Sequence, residues 1–121
     1  MTAARRQLGR FGEQLAATHL GRLGYAIVER NWRCPIGEID IVARDEDALV
    51  FVEVRSRRSS VALAAESVGP AKRRKLAELA QTYIVLHDLP EQTPWRIDVV
   101  AVALWRDGQV DIDHIANAVE E

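Results

Sequence analysis

The spacing of apolar residues divides the chain into seven predicted elements. The first element is a helix over residues 5–23, and Gly24 ends it as a C-terminal cap. Three strand-like segments follow, at residues 25–33, 38–43 and 49–55, and a polar turn at residues 45–48 separates the last two. The predicted apolar stripe of the helix consists of Leu8, Phe11, Leu15, His19 and Arg22 or Leu23, widened by Ala16, Ala17 and Leu20.

The second half of the chain predicts a further helix and two more strands. Gly69 and Pro70 begin the helix, since Pro suits the first helical position. Residues 95–105 contain a continuous apolar run, typical of a central strand that should run parallel to the strand at residues 49–55. Asp107 and Gly108 indicate a two-residue hairpin into a short edge strand near residues 109–112, and residues 56–67 predict a mobile loop. The predicted buried stripe of this helix is Leu76, Leu79, Ala80, Tyr83 and Leu86 or His87.

This order of elements predicts an α/β fold with a mixed central sheet flanked by helices, in a single domain over residues 1–121. The apolar content of 48% and charged content of 28% are those of an ordinary globular protein. The N-terminus lacks the apolar stretch of a signal peptide, and no run approaches the roughly 20 apolar residues of a membrane span. Cys34 is the single cysteine. We therefore expect a cytoplasmic protein that contacts no membrane.

The positive charge is concentrated although the net charge is only −2. Four cations occupy the first turn of the second predicted helix, where the helix macrodipole favours acidic residues. A concentration of this kind predicts a surface that binds the phosphates of a nucleic acid, and solvated surface charges are the ordinary alternative. The predicted phosphate-binding residues are Arg57, Arg58, Lys72, Arg73, Arg74 and Lys75.

Three polar residues, Asp40, Glu53 and Arg55, lie on two adjacent predicted strands where apolar residues would be expected. Side chains alternate between the faces of a strand, so Ile39 and Ile41 should share the face opposite to Asp40. A turn with Glu46 and Asp47 as its central residues would place Asp40 opposite Glu53, and Glu38 opposite Arg55. The two carboxylates would then have Cβ atoms about 5 Å apart.

Two carboxylates at that separation require a proton, a cation or a nearby arginine. Arg55 is one candidate, because it lies two residues from Glu53 on the same face. A divalent cation is another, since Mg²⁺ and Mn²⁺ prefer carboxylate oxygens. The ordinary alternative is an exposed sheet face on which Glu53 pairs with Arg55.

The arrangement of Asp40, a twelve-residue spacer and Glu53-Val54-Arg55 resembles the Asp…Glu-x-Lys motif of the PD-(D/E)XK nuclease superfamily. The wider chain resembles the YraN-like family of small bacterial proteins, which is assigned to the restriction-endonuclease-like fold. The matching segments are GRFGEQLAATHLGRLGYAIVERNWR, GEIDIVARD, VFVEVRSR, RIDVVAV and IDHIANAV. The plan is also similar to that of archaeal Holliday junction resolvases.

The resemblance implies Mg²⁺ or Mn²⁺ ligands at Asp40 and Glu53, with Glu13 as a third acidic member and a weaker role for Glu38. Arg55 stands where the superfamily has its catalytic lysine. Arginine keeps the positive charge and can stabilise a phosphorane, but it is too basic to accept a proton from water. The chemistry would then depend on metal-activated water or on Lys72 reaching the site from the second helix.

Other polar residues are weaker candidates. We interpret His114, near Asp111 and Asp113, as a surface or capping histidine rather than a metal ligand. His19 and His87 lie on helical stripes and are interpreted as packing residues. Asp98 is assigned a structural role, and Cys34 has no histidine near it in the sequence to activate it.

The leading hypothesis is a metal-dependent endonuclease that acts on DNA, including branched or structured DNA. The alternative is a non-catalytic nucleic-acid-binding or scaffold protein on a nuclease-like fold, in which Glu53 and Arg55 simply pair. A third interpretation is a structural adaptor that binds neither metal nor DNA. The exposed strand edge near residues 109–112 also offers a surface for a homodimer.

Overall fold

The fold is a mixed five-stranded sheet with a long helix on each face. A computed structural model of the chain describes residues 2–58 and 68–118, and the following statements concern these residues. The strands are ordered β1-β2-β3-β4-β5, with β3 and β4 parallel and all other neighbours antiparallel. This confirms the predicted α/β layout. The elements are α1 (Ala3–Arg22), β1 (Ala26–Cys34), β2 (Gly37–Asp45), β3 (Ala48–Arg57), α2 (Pro70–Leu86), β4 (Trp95–Leu104) and β5 (Val110–Ile115).

Two apolar clusters cover the two faces of the sheet. Phe51, Ile97 and Val99 pack with α2, whereas Val50, Val52 and Val100 pack with α1 on the opposite face. Strand β4 is buried along both faces, as its continuous apolar run predicts. On α2 the predicted stripe of Leu76, Leu79, Ala80 and Tyr83 is buried, and His87 stacks on Tyr83 while Leu86 is exposed.

The buried face of α1 differs from the predicted stripe. Gly12, Ala16 and Leu20 are the buried residues, whereas Phe11 and Leu23 are exposed. The small residues decide this orientation, because they let the helix backbone approach the sheet closely. A Cβ atom at Gly12 would lie 1.8 Å from Ser56 Oγ and 3.1 Å from Ser56 Cβ. Gly12 thereby allows α1 to lie against the end of β3.

The β4–β5 connection is longer than the predicted two-residue hairpin. Leu104 pairs with Val110, which leaves five residues between the strands. Gly108 N–H donates to Trp105 O, and Gly108 has φ +86°. The central residues of the turn are therefore Arg106 and Asp107, and Gly108 is its fourth residue rather than a central one. Strand β5 is at the sheet edge, as predicted; the homodimer remains a prediction.

A polar network is buried beside α1. The carboxylate of Asp98 is fully buried and accepts hydrogen bonds from His114 Nε2 at 2.8 Å, Arg96 Nε at 3.0 Å and the Asn117 backbone N–H at 2.9 Å. The interpretation of His114 as a surface or capping residue is therefore wrong, because its alternate position on β5 turns it inward. The ring of His19 packs edge-on against His114, which confirms a packing role.

Part of the sequence interpretation lies outside the described residues. The predicted mobile loop covered residues 56–67, of which Ser56 and Arg57 are the last residues of β3 and residues 59–67 are not described. In the described ranges, no helix is long and apolar enough to cross a membrane.

The Asp98 network predicts a large loss of stability on a conservative substitution. Burial raises the pKa of Asp98, but hydrogen bonds from His114, Arg96 and the Asn117 N–H outweigh burial and hold this pKa below its ordinary value. Asp98→Asn should lower the free energy of unfolding by about 3 kcal/mol, since it leaves buried donors facing an amide. Urea denaturation at pH 7 measures the loss. Asp113→Asn, at an exposed position of β5, is the control, and equal stabilities of the two variants would contradict the prediction.

The contact of α1 with β3 predicts opposite responses at two glycines of one helix. Gly12→Val places a branched side chain against Ser56 and Val54 and should destabilise the protein by about 1–3 kcal/mol. Gly9→Val has open space around the new Cβ and should slightly stabilise the protein, because valine has the higher helix propensity. Thermal denaturation of both variants tests whether the close approach is real.

Candidate functional site

A cleft of about 910 Å³ gathers most of the predicted site residues. It lies beside the N-terminal half of α1, the end of β3, the start of β2 and the first turn of α2. Four carboxylates and five cationic side chains line the cleft, and the residues of each sign come from several helices and strands. The lining carboxylates are Glu13, Glu38, Asp40 and Glu53, and the lining cations are Arg5, Arg55, Arg57, Arg58 and Lys72.

The basic residues of α2 do not act as one group. Lys72 lines the cleft, whereas Arg73 Nε donates to Val68 O at 3.1 Å and Lys75 lies beside Gly37. Arg74 is exposed and is not among the residues that line the cleft. Of the four cations predicted to bind phosphate on this helix, the structure therefore brings only Lys72 to the carboxylates.

Arg5 is a lining residue that sequence reasoning missed. It lies at the start of α1, with Gly9 and Glu13 at successive spacings of four residues. Residues four apart share one face of a helix, so this spacing was a readable signal. Since Gly12 brings α1 onto β3, the same face carries Arg5 and Glu13 to opposite ends of the cleft wall.

Asp40 lies where the β2–β3 hairpin opens. The predicted register is confirmed over five pairs, from Asp45–Ala48 to Ile41–Val52, but the pairing ends there and does not include Asp40 and Glu53. Instead, the Val54 backbone N–H donates to Asp40 Oδ2 at 2.8 Å. A carboxylate thus replaces the strand carbonyl that would otherwise accept this bond.

The alternation of side chains also breaks at Asp40. Ile39 packs in the cluster beneath α2, whereas Ile41 packs in the cluster beneath α1. The prediction that the two isoleucines share a face is therefore wrong. A regular strand cannot place residues two apart on opposite faces, so β2 is distorted at the position that carries the carboxylate.

Glu53 is a buried carboxylate between two cations. Only 6% of the surface of Glu53 is exposed to solvent. Oε1 lies 3.7 Å from Arg55 Nε, and Oε2 lies 3.6 Å from Lys72 Nζ. Arg55 Nε is itself buried and has no hydrogen-bond partner within the described part of the chain. Arg55 therefore faces the carboxylate without forming a close ion pair.

Glu13 is held on the α1 side of the cleft by residues of β1. Arg30 Nη2 lies 3.8 Å from Glu13 Oε2. Carboxylate oxygens accept hydrogen bonds, which assigns the Asn31 amide nitrogen to the side that faces Glu13; it then donates to both oxygens, at 3.2 and 3.3 Å. Glu13 is therefore engaged with protein donors rather than with Asp40 and Glu53.

The three carboxylates are electrostatically strained. Burial, followed by repulsion from Asp40, raises the pKa of Glu53 from 4.5 to about 7, although Lys72 and Arg55 oppose the shift. Burial raises the pKa of Asp40 as well, against the hydrogen bond from Val54. Burial and then Asp40 raise the pKa of Glu13. The cations in the cleft thus leave negative charge that a proton or a bound cation would offset.

The donor set fits a divalent cation held by two carboxylates. Across residues 2–58 and 68–118, no group of three or more acidic, histidine or cysteine side chains is close enough to hold a metal ion. Mg²⁺ commonly uses one or two carboxylates and keeps several waters. Asp40 and Glu53 meet that requirement with hard oxygen ligands, whereas Glu13 lies outside such a pair in this arrangement.

Comparisons with known proteins agree with the resemblance to the YraN-like family. A family model described as "Uncharacterised protein family UPF0102" matches residues 12–102. A UPF0102 protein of Roseiflexus castenholzii is 54% identical over 100% of this chain and 99% of its own. One from Chloroflexus aurantiacus is 50% identical with the same coverage. One from Streptomyces griseus is 49% identical over 92% of this chain and 94% of its own.

The raised pKa of Glu53 predicts that the protein loses stability as the pH rises toward neutral. Between pH 4.5 and about 7 the folded protein binds more protons at Glu53 than the unfolded chain does, so the free energy of unfolding falls as pH rises through this window. Glu53→Gln removes the ionisable group. Between pH 4.5 and 8, with EDTA present, its stability relative to the original protein should rise by on the order of 2 kcal/mol.

Urea denaturation of both proteins across this pH range measures the difference. Glu78→Gln is the control, because Glu78 is exposed on α2 and does not line the cleft. A Glu53→Gln variant that loses relative stability with rising pH would show that Lys72 and Arg55 outweigh burial.

Proposed function

We propose that this chain, which belongs to the UPF0102 family, is a metal-dependent phosphodiesterase that acts on DNA. The observation that carries the proposal is a pair of insufficiently neutralised carboxylates, half-buried Asp40 and buried Glu53, in a cleft lined with cations. Perturbed titratable groups of this kind are concentrated at functional sites. Membership in the PD-(D/E)XK nuclease superfamily is part of the proposal.

Asp40 and Glu53 would hold Mg²⁺ or Mn²⁺, and Glu13 would act from the wall formed by α1. When bound, the cation supplies charge neutralisation at the phosphate and a water of lowered pKa. The hydrogen bond from Val54 fixes the orientation of Asp40, so that its carboxylate is positioned before any ligand binds.

Arg55 and Lys72 have different roles in this proposal. Arg55 stays protonated and stabilises the negative charge that develops on the phosphate. Lys72, which lies 3.6 Å from Glu53 Oε2, occupies the functional place of the lysine that the motif lacks at position 55. It positions the phosphate, and unlike arginine it can also exchange a proton with the attacking water.

The lining of the cleft favours recognition of the sugar–phosphate backbone. The described lining residues include no aromatic side chain on which a base could stack, and residues 59–67 contain none in their sequence. Arg5, Arg57 and Arg58 extend the positive charge away from the carboxylates. We therefore propose recognition by strand geometry, including branched or structured DNA, rather than by base sequence.

A second candidate function is non-catalytic nucleic-acid binding. The observation that favours it is the position of Glu53, whose two oxygens each face a cation. In this second function Arg55 and Lys72 neutralise Glu53 in place of a metal ion, and the cleft binds phosphates without cleaving them.

Cleavage of a DNA panel tests the proposal. Duplex, single-stranded and four-way-junction DNA should be cleaved with Mg²⁺ or Mn²⁺ and not with EDTA, and Asp40→Ala or Glu53→Ala should abolish cleavage. Lys72→Ala should reduce the rate about 10²-fold or more, since it removes a cation at the reacting phosphate. Lys75→Ala is the matched control, because Lys75 lies in the same helical turn beside Gly37 and does not line the cleft.

Two outcomes would redirect the assignment. Salt-dependent DNA binding without cleavage, weakened by Lys72→Glu and unaffected by metal, would support the non-catalytic function. Absence of both cleavage and binding would overturn the proposal and leave the structural adaptor.

A further inference from the structure

We propose that Asn31 is a positioning residue, held in a left-handed backbone conformation so that its amide aims the Glu13 carboxylate into the cleft. The inference rests on the proposed function and assigns a role to a residue that sequence patterns do not single out. Asn31 does not line the cleft itself and acts through Glu13.

The backbone of Asn31 is unusual for its place in the fold. Asn31 has φ +54° although it lies within strand β1. The three other non-glycine residues with positive φ among the described residues, Glu46, Asp88 and Asn117, are all in turns. A left-handed residue inside a strand is disfavoured, and asparagine is among the few residues that tolerate it. Such conformations persist where the surrounding structure requires them, often at functional sites.

The pairing of β1 with β2 is interrupted at the same point. Arg30 pairs with Ile41 and Trp32 with Ile39, but Asn31 and Asp40 between them are not paired. The irregular residue of β1 is therefore opposite the irregular residue of β2. The two strands are distorted together beside the carboxylates, rather than independently.

The consequence is a directed contact with Glu13. The Asn31 amide donates to both oxygens of Glu13, and Arg30 approaches Oε2 from the same strand. Burial and the charge of Asp40 both disfavour an ionised Glu13, and the hydrogen bond from Asn31 opposes them. Asn31 thus holds the third carboxylate in one orientation on the α1 side of the cleft. Groups that orient side chains around a metal site commonly change metal affinity 10–100-fold when they are removed.

Two substitutions distinguish the role of the Asn31 side-chain amide from that of its left-handed backbone conformation. Asn31→Gly accepts the left-handed conformation without strain and removes the amide. Asn31→Asp also tolerates this conformation, but it presents an acceptor to Glu13. The control is Asn117→Gly, which removes the side chain of another left-handed asparagine while the backbone N–H that bonds Asp98 remains.

The measurements are Mn²⁺ affinity by electron paramagnetic resonance, the melting temperature without metal, and the metal dependence of cleavage. Asn31→Gly should bind Mn²⁺ about 10-fold more weakly. Asn31→Asp should weaken Mn²⁺ binding at least as much. Glu13→Gln should do the same, and combining it with Asn31→Gly should add no further loss, since both act through one carboxylate. Asn117→Gly should leave Mn²⁺ affinity unchanged.

The failure of this inference is distinguishable from that of the proposed function. If the original protein binds Mn²⁺ and cleaves DNA while both Asn31 variants do so equally well, the positioning role is overturned and the proposed function stands. A lower melting temperature of Asn31→Gly with unchanged Mn²⁺ affinity would likewise assign Asn31 a merely structural role. If the original protein neither binds Mn²⁺ nor cleaves DNA, the proposed function falls, and this inference with it.

Discussion

The hydrogen bond from the Val54 N–H to the Asp40 carboxylate determines how the cleft is built. A buried backbone donor must find an acceptor, and leaving it unpaired costs about 1–3 kcal/mol. Because Asp40 supplies the acceptor, β2 and β3 can separate after Ile41 and Val52 without that cost. Beyond this point both Asp40 and Glu53 line the cleft, and the charge of Asp40 acts on Glu53.

The burial of Glu53 beside Asp40 lowers the stability of the folded protein. Glu53 is nearly buried and repelled by Asp40, and the two nearby cations do not restore the ordinary pKa of its carboxyl group. A protein selected only for stability would have an apolar residue at this position of β3. Asp98 shows the contrast, since its buried carboxylate is surrounded by donors that hold its pKa low. Of the two buried carboxylates, Asp98 is compensated by its donors, whereas Glu53 keeps a raised pKa.

Much of this could be predicted from the sequence, and the failures have local causes. The two-residue turn at Glu46 and Asp47 fixed five pairs of the hairpin, because turn length determines register. The prediction failed at Asp40, where a side chain replaced a backbone acceptor. Phe11 was misplaced because Gly12, an unremarkable residue in an apolar pattern, sets the orientation of α1. Asn31 left no trace in the sequence pattern, because apolar spacing does not mark a single left-handed residue.

The partners of Asp98 also constrain when the protein can fold during synthesis. Its carboxylate is bonded by Arg96, His114 and the Asn117 N–H, and Tyr25 lies beside it from the other end of the chain. Before residue 117 has emerged from the ribosome, β4 would have to bury this charge without the donors of His114 and Asn117. Nascent chains that end before β5 should therefore stay open and exposed to chaperones. The sheet would then be completed only after translation of its edge strand, although α1 and the β2–β3 hairpin are synthesised earlier.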